Sequence, residues 1–144
     1  MKIKDIQKRI ADALNGDEAL VQGGCKAFAE DSQSIVFDIE KALNDGGVSL
    51  VVVTPEVTRA GSGTDAGLPV EMMVEIQCSE RPALNREAPG HLTALDAAER
   101  VAHALDGEQF EFNTIRQFAD AATRTITATV TFGVDILLTN NEGE

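Results

Sequence analysis

The sequence predicts an α+β fold in which helices pack against one face of a mostly antiparallel sheet of four or five strands. Within Thr123–Leu138, apolar residues occupy every even position from Ile126 to Leu138, which is typical of one long strand with a buried face. Leu68–Ser79 alternates in the same way. Three other segments repeat apolar residues at helical spacing, so strands and helices share one chain.

The N-terminal region begins with a helical pattern. Residues 2–15 predict an amphipathic helix that ends at Gly16, because apolar residues recur three or four positions apart. Residues 17–30 are ambiguous, since Gly23 and Gly24 interrupt any helix, and Cys25–Ala29 could form a short strand.

A second helix is predicted at about residues 33–45. Apolar residues recur there at helical spacing, and the alternative is that the segment SIVFDI extends as a strand. The helix could be capped at its start by Asp31, Ser32 or Ser34. It could end at Gly46-Gly47.

The first predicted hairpin follows these helices. Residues 48–60 are rich in β-branched residues, and Pro55 assigns their second half to a sheet edge or a bulge. Residues 61–67, GSGTDAG, predict a flexible loop that leads into the alternating strand Leu68–Ser79.

The second predicted hairpin closes the chain. Residues 80–90 suggest an irregular link, and Thr93 with Asp96 forms a variant capping box for a helix that ends at Gly107. A strand from Phe110 to about Phe118 then turns into the long final strand. A loose tail is expected at residues 140–144.

Length and charge limit the classes of function. A chain of 144 residues with 43% hydrophobic residues predicts one domain, residues 1–144, with a packed core. Its net charge of −12 argues against tight binding of nucleic acid, because phosphate binding needs Lys and Arg. An acidic surface ordinarily confers solubility, and the alternative is the wall of a conduit through which DNA slides without sticking.

The cysteines and the hydropathy indicate a compartment. Cys25 and Cys78 form no CxxC pair, so two reduced and buried thiols of a cytosolic protein are expected. No apolar segment has the length of a secretion signal or of a membrane span. We therefore expect a soluble, cytoplasmic protein with no membrane contact.

No catalytic, cofactor or metal motif is found. The loop at 61–67 resembles a phosphate loop only in its glycines, because no Lys follows them. His91 and His103 are the two histidines, and they belong to no recognisable ligand set. We expect no enzyme activity, no cofactor and no metal.

The threonines of the final strand, at 125, 127, 129 and 131, predict either a solvated face or a face that meets another subunit.

Several segments together resemble the tail terminator, or tail-completion, proteins of tailed phages and prophages. The resemblance covers the N-terminal helix, GGVSLVVVTPEV, LPVEMMVEIQCSERPALNR, the helix TALDAAERVAHAL and the final strand with TVTFGVDI. Residues 17–47 depart from the pattern, being longer and more helical. That departure keeps a head–tail joining protein or another minor tail protein as an alternative.

The resemblance implies a structural role in a virion. In that family, subunits form a ring, usually a hexamer, that stops polymerisation of the tail tube and joins tail to head. The implied partners are copies of the chain itself and the tail-tube and head-completion proteins, while DNA passes without specific binding. The implied location is the bacterial cytoplasm during assembly and then the virion tail.

The resemblance also implies two interface regions. The loop Arg59–Gly67 corresponds to a region that contacts neighbouring subunits or the tube, and the second region lies near the corner between a strand and a helix. The implied interface residues are Arg59, Ser62, Thr64, Asp65, Arg81, Asn85 and Arg86. The rivals to this function are a ligand-binding or regulatory α+β domain and a small enzyme whose pocket the sequence does not reveal.

Overall fold

Residues 2–107 and 109–139 are the residues that this computed structural model describes. The helices in this part of the chain are α1 (Ile3–Asn15), α2 (Glu18–Gln22), α3 (Ile35–Asn44), α4 (Pro82–Asn85) and α5 (Ala94–Leu105). The strands are β1 (Cys25–Ala29), β2 (Val48–Val52), β3 (Glu56–Arg59), β4 (Leu68–Glu80), β5 (Glu111–Asp120) and β6 (Thr125–Leu138). The tail expected at residues 140–144 lies outside the described residues.

All the described strands join one mixed sheet in the order β1-β2-β4-β6-β5, with β3 also paired to β4. β1 and β2 are parallel, and the other pairs are antiparallel. The two longest strands, β4 and β6, pair along thirteen residues from Leu68↔Leu138 to Glu80↔Ile126. They form the centre of the sheet.

The main core lies between one face of the sheet and three helices. The inward side chains of β4 and β6 include Val74, Ile76, Val130 and Phe132, all at most 1% exposed. Helices α1, α2 and α5 cover this face with apolar residues that belong to the same buried cluster. The alternation of apolar residues in the two strands therefore marked the core face correctly.

The predicted α+β class is confirmed, with refinements. The described residues form six strands where four or five were expected, because Pro55 divides the first arm of the first hairpin into β2 and β3 and because Cys25–Ala29 does form a strand. The strand at Cys25–Ala29, β1, forms the parallel pair of the sheet, with β2. Residues 17–30 also contain the short helix α2, and the link at 80–90 contains α4.

Helix α3 packs on the reverse side of the sheet. It contacts β1 and β2, and its Leu43 is 4% exposed. Val51 of β2 is 8% exposed and alternates with the core residues Leu50 and Val52, so it faces away from the main core. Because neither Leu43 nor Val51 belongs to the main cluster, α3 forms a second, smaller layer over the β1–β2 end.

The threonine row of β6 is less solvated than an open face would be. Thr127 and Thr129 are each 8% exposed. Hydroxyl groups are paired between neighbouring strands, with Ser79 Oγ 2.9 Å from Thr127 Oγ1 and Thr114 Oγ1 2.7 Å from Thr131 Oγ1. The row therefore contributes cross-strand hydrogen bonds within a single copy.

Both cysteines are free and buried. Burial raises the pKa of the Cys25 thiol to about 12, with a smaller contribution from the charge of Asp17. Burial also raises the pKa of Cys78, which is 0% exposed. Both groups are therefore thiols rather than thiolates at neutral pH, which makes them poor nucleophiles in the folded protein.

One ion pair joins α2 to α5. Asp17 precedes α2 and accepts a hydrogen bond from the backbone N–H of Leu20 at 3.2 Å. The Asp17 carboxylate also lies 2.6 Å from Arg100 Nη2. The hydrogen bond from Arg100 lowers the pKa of Asp17, and the bond from Leu20 acts in the same direction although partial burial opposes both.

We expect Asp17→Asn to be less stable than the wild type at neutral pH and equally stable in acid. Because the pKa of Asp17 is lower when folded, the contribution of its charge is complete above the unfolded-state pKa of about 3.9 and is lost as the pH falls through the folded-state pKa. Asn retains the helix cap. Urea unfolding of both proteins between neutral pH and about pH 2 measures the difference. A difference that does not change with pH would contradict the role of this charge.

Candidate subunit interfaces

The loop between β3 and β4 is exposed along its whole length. Every residue from Arg59 to Ala66 is exposed, including Ser62 and Asp65. Thr64 N–H donates to Gly67 O at 2.8 Å, Gly67 N–H donates back to Thr64 O at 3.1 Å, and Arg59 Nε donates to Gly61 O at 2.8 Å. The loop is thus held mainly by its own hydrogen bonds and projects from the end of the sheet.

Gly67 fixes the base of this loop. Its φ of +143° is one that L-residues rarely adopt, and a Cβ there would lie 2.2 Å from the backbone oxygen of Leu138. The loop therefore starts from a close contact with the end of β6, while its tip remains free to meet another molecule.

The second predicted region lies at the opposite end of β4. Arg81 Nη2 donates to Glu40 Oε2 of α3 at 3.1 Å, and Arg81 Nη1 donates to Asn44 Oδ1. Arg81 therefore links the corner to α3 within one copy. Because β4 is thirteen residues long, the loop and the corner are about 40 Å apart, and the structure does not bring the two sets of predicted residues together.

Asn85 and Arg86 line an open cleft of about 570 Å³ at this corner. Asn85 is 6% exposed; its Nδ2 donates to Leu92 O at 2.8 Å, and its Oδ1 has no hydrogen-bond partner among residues 2–107 and 109–139. Glu80, on the same cleft, accepts a hydrogen bond from Ala94 N at the start of α5, where a negative charge is favourable. His91 Nδ1 lies 2.8 Å from Gly46 O, so this histidine joins two loops.

Two apolar patches were not predicted from the sequence. On α3, Val36 and Phe37 are 74% and 68% exposed, and we call this pair the α3 patch. On β5, Phe118 is 57% exposed. The signal for the α3 patch was present in the run SIVFDI, where apolar residues are too continuous for a single buried helix face.

The two outer strands of the sheet differ in their protection. At the free edge of β1, the Asn15 side chain donates to Ala27 O at 2.9 Å and accepts from Ala27 N at 2.8 Å, as a neighbouring strand would. β5 is ten residues long and, among the described strands, pairs with β6 alone. The side chains of β5 are exposed except for that of Ile115, which is intermediate. The β5 edge is therefore the long unprotected edge.

We expect Asn15→Leu to lower the free energy of unfolding by about 1–3 kcal/mol, because both polar groups of Ala27 lose their partner. The variant should also self-associate through the uncovered β1 edge. Gln22→Leu is the matched control, because Gln22 is exposed and its amide donates only to Glu18 on the same helix. Urea unfolding and light scattering measure the two effects. Equal stability of the two variants would show that Asn15 does not protect the edge.

The reverse face of the sheet carries an acidic cleft at the end nearer the projecting loop. It has a volume of about 380 Å³ and is lined by four carboxylates and no basic residue: Glu56, Glu71, Glu111 and Asp135. Glu71 and Asp135 are directly opposite each other across β4 and β6, an arrangement that destabilises a sheet. No three His, Cys, Asp or Glu side chains of the described residues form a set that could hold a metal ion.

These features define an α+β domain with a long open sheet edge at β5, a projecting loop and an acidic sheet face. No helix of the described residues is long and apolar enough to cross a bilayer. No protein-family model matches the chain, and no curated protein matches it.

The fold is similar to that of one chain described as "Virion of native gene transfer agent (GTA) particle". The TM-score is 0.62 and the identity 14%, and the match covers 94% of this chain and 98% of the other. A crystal structure from Akkermansia muciniphila also matches, with a TM-score of 0.35, 13% identity and coverage of 95% and 77% of the two chains. That second likeness is too low to support any argument, and the first establishes a shared fold.

Proposed function

We propose that this chain is a structural protein of a phage-like virion and that it acts by assembly, without catalysis. The observation that carries the proposal is the fold shared with a chain of a gene transfer agent virion along nearly the full length of both. The open β5 edge and the exposed loop at Arg59–Ala66 support it, because both are surfaces that another subunit could complete.

The specific role that we propose is that of a tail terminator. Copies of the chain, six in the usual case for this class, form a ring that ends the tail tube and joins it to the head. A ring needs heterologous contacts, in which two different surfaces of each subunit meet. A head–tail joining protein or another minor tail protein would use the same kind of contact and is the nearest alternative.

The charge of the protein is consistent with a channel for DNA. The net charge is −12, and the acidic cleft is lined by four carboxylates without a basic residue. Such a surface repels phosphates, so DNA would pass without specific binding. In this proposal the protein assembles in the host cytoplasm and ends in the virion tail.

Size-exclusion chromatography with light scattering, followed by negative-stain imaging, tests the ring. We expect a closed ring with a central hole wide enough for duplex DNA. A compact monomer at every protein concentration would overturn the proposal and favour a ligand-binding domain or an enzyme. Mixing the rings with purified tail tubes and with tail-free heads, and imaging which of them the rings cap, separates a terminator from a head–tail joining protein.

The proposed ring should weaken at low ionic strength. Each copy carries −12, and the Debye length grows from about 8 Å at physiological salt to about 30 Å at 0.01 M, so the copies repel one another more strongly. Light scattering across a salt series measures the assembled fraction. Assembly that strengthens as salt is removed would show that attraction between opposite charges, rather than repulsion, dominates the contact.

A further inference from the structure

We infer that the α3 patch of one copy binds the β5 end of the next copy, so that these two surfaces form the contact that repeats around the ring. The inference rests on the proposed assembly and names the surfaces that make it. The partner is a second copy of this chain, bound through Val36 and Phe37 on one side and through Phe118 on the other.

The two surfaces lie at opposite ends of the sheet. β1 and β5 are the first and last strands of the main order, and α3 contacts β1 and β2. A contact between surfaces at opposite ends is heterologous, because each surface binds a different surface of the neighbouring subunit rather than the same one. The reverse arrangement, in which two β1 edges pair, is opposed by Asn15, which already occupies the polar groups of Ala27.

The register of the sheet relates the two surfaces along the strand direction. The row of paired residues that contains Phe118 crosses the sheet to Lys26, near the start of β1. The α3 patch is reached from the other end of β1, through residues 30–34. The two surfaces are therefore displaced along the strands, and in the proposed ring the tilt of each subunit offsets this displacement so that the heterologous contact closes.

The charges around the two surfaces are complementary. Arg116 and Arg124 flank Phe118 in β5 and in the adjacent turn, and neither has an ion-pair partner among the described residues. Asp120 lies between them and accepts hydrogen bonds from the N–H groups of Ala122 and Thr123, so residues 116–124 carry a net charge of +1. The segment that contains the α3 patch, residues 30–41, has four acidic residues and one basic residue. Glu40 pairs with Arg81 and Lys41 pairs with Asp45, which leaves the charges of Glu30, Asp31 and Asp38. In a protein of net charge −12, a locally basic end that faces an acidic end favours the heterologous pairing over contacts between like ends.

Charged substitutions in either surface should weaken the association of the subunits without unfolding them. We expect Phe37→Asp and Phe118→Asp each to lower the association constant by about tenfold or more, since an exposed aromatic residue at an interface centre carries much of the binding energy. Val21→Asp is the matched control, because Val21 is 51% exposed on α2, whose main contacts are with α1, β1 and α5 rather than with α3 or β5. Light scattering measures assembly, and urea unfolding checks that all three subunits remain folded.

Cross-linking tests which surfaces meet. Gln33→Cys and Ala121→Cys place thiols beside the two surfaces at exposed positions, and the native thiols are buried. With a short bis-maleimide reagent, we expect the double variant to give a ladder of linked chains and a mixture of the two single variants to give linked dimers. Each single variant alone should stay unlinked, as should the wild type.

The outcomes separate this inference from the proposed function. If Phe37→Asp and Phe118→Asp still form a ring, and if positions 33 and 121 are not linked, the inferred contact is wrong. The proposed ring itself is then retained. Links within a single-variant sample would show a two-fold contact and also overturn it. Links between 33 and 121 in the absence of any closed ring would support the contact while the proposed terminator role fails.

Discussion

Phe132→Ala should lower the free energy of unfolding by about 3–5 kcal/mol, which is a large part of the stability of a small domain. Phe132 is 0% exposed and lies on the core face of β6, between Val74 of β4 and Phe112 of β5. Its ring meets that of Phe112 edge to face, with the centroids 6.1 Å apart. The substitution removes buried apolar area and leaves a cavity at the centre of the sheet.

Phe37→Ala provides the control for this effect, because it makes the same change at a side chain that is 68% exposed. In subunits dilute enough to be unassembled, we expect its free energy of unfolding to stay within about 0.5 kcal/mol of the wild type. Urea unfolding of both variants measures the contrast. A loss below about 1 kcal/mol for Phe132→Ala would place the centre of the core elsewhere.

Gly47→Ala should destabilise the β1–β2 end of the sheet by about 1–3 kcal/mol. A Cβ at position 47 would lie 2.4 Å from the backbone oxygen of Gly24, which accepts a hydrogen bond from Val48 N–H at 3.0 Å. Neither of these groups is the end of a flexible side chain. The start of β1 or of β2 must therefore shift, which weakens the parallel pairing of these strands and the packing of α3 against them.

Gly107→Ala is the matched control, because a Cβ there would meet nothing within 4 Å. We expect this variant to be as stable as the wild type or slightly more stable, since the change restricts the unfolded chain. Thermal and urea unfolding of the two variants give the comparison. If Gly47→Ala proves no less stable than Gly107→Ala, the close approach of the two chain segments is not a source of stability.

The candidate interfaces were predictable only in part. The loop Arg59–Gly67 stands out in the sequence through its glycines, and it is exposed as a hairpin loop should be. Arg81 was expected at an interface between copies, and its partners within one copy, Glu40 and Asn44, are about forty residues away along the chain. No local pattern reveals such a partner. The acidic cleft likewise forms only because β3, β4, β6 and β5 bring distant carboxylates to one face.

The sequence by itself determined the longer elements and the core face. Strict alternation in Leu68–Ser79 and Thr123–Leu138 specified two long strands and the side of each that is buried, because side chains of a strand point alternately to its two faces. The helical repeat located α1, α3 and α5, and Thr93 accepts its capping hydrogen bond from Asp96 N as the capping pattern predicts.

Only the tertiary structure decided how these elements are arranged. It set the parallel pairing of β1 with β2, the side of the sheet on which α3 lies, and the choice of β5 as the unprotected edge. Each of these three features depends on contacts between residues far apart in the chain. The sequence did not predict them, because periodicity indicates only which side of a helix or strand is apolar. The exposure of Val36, Phe37 and Phe118, on which the proposed ring contact depends, follows from that arrangement.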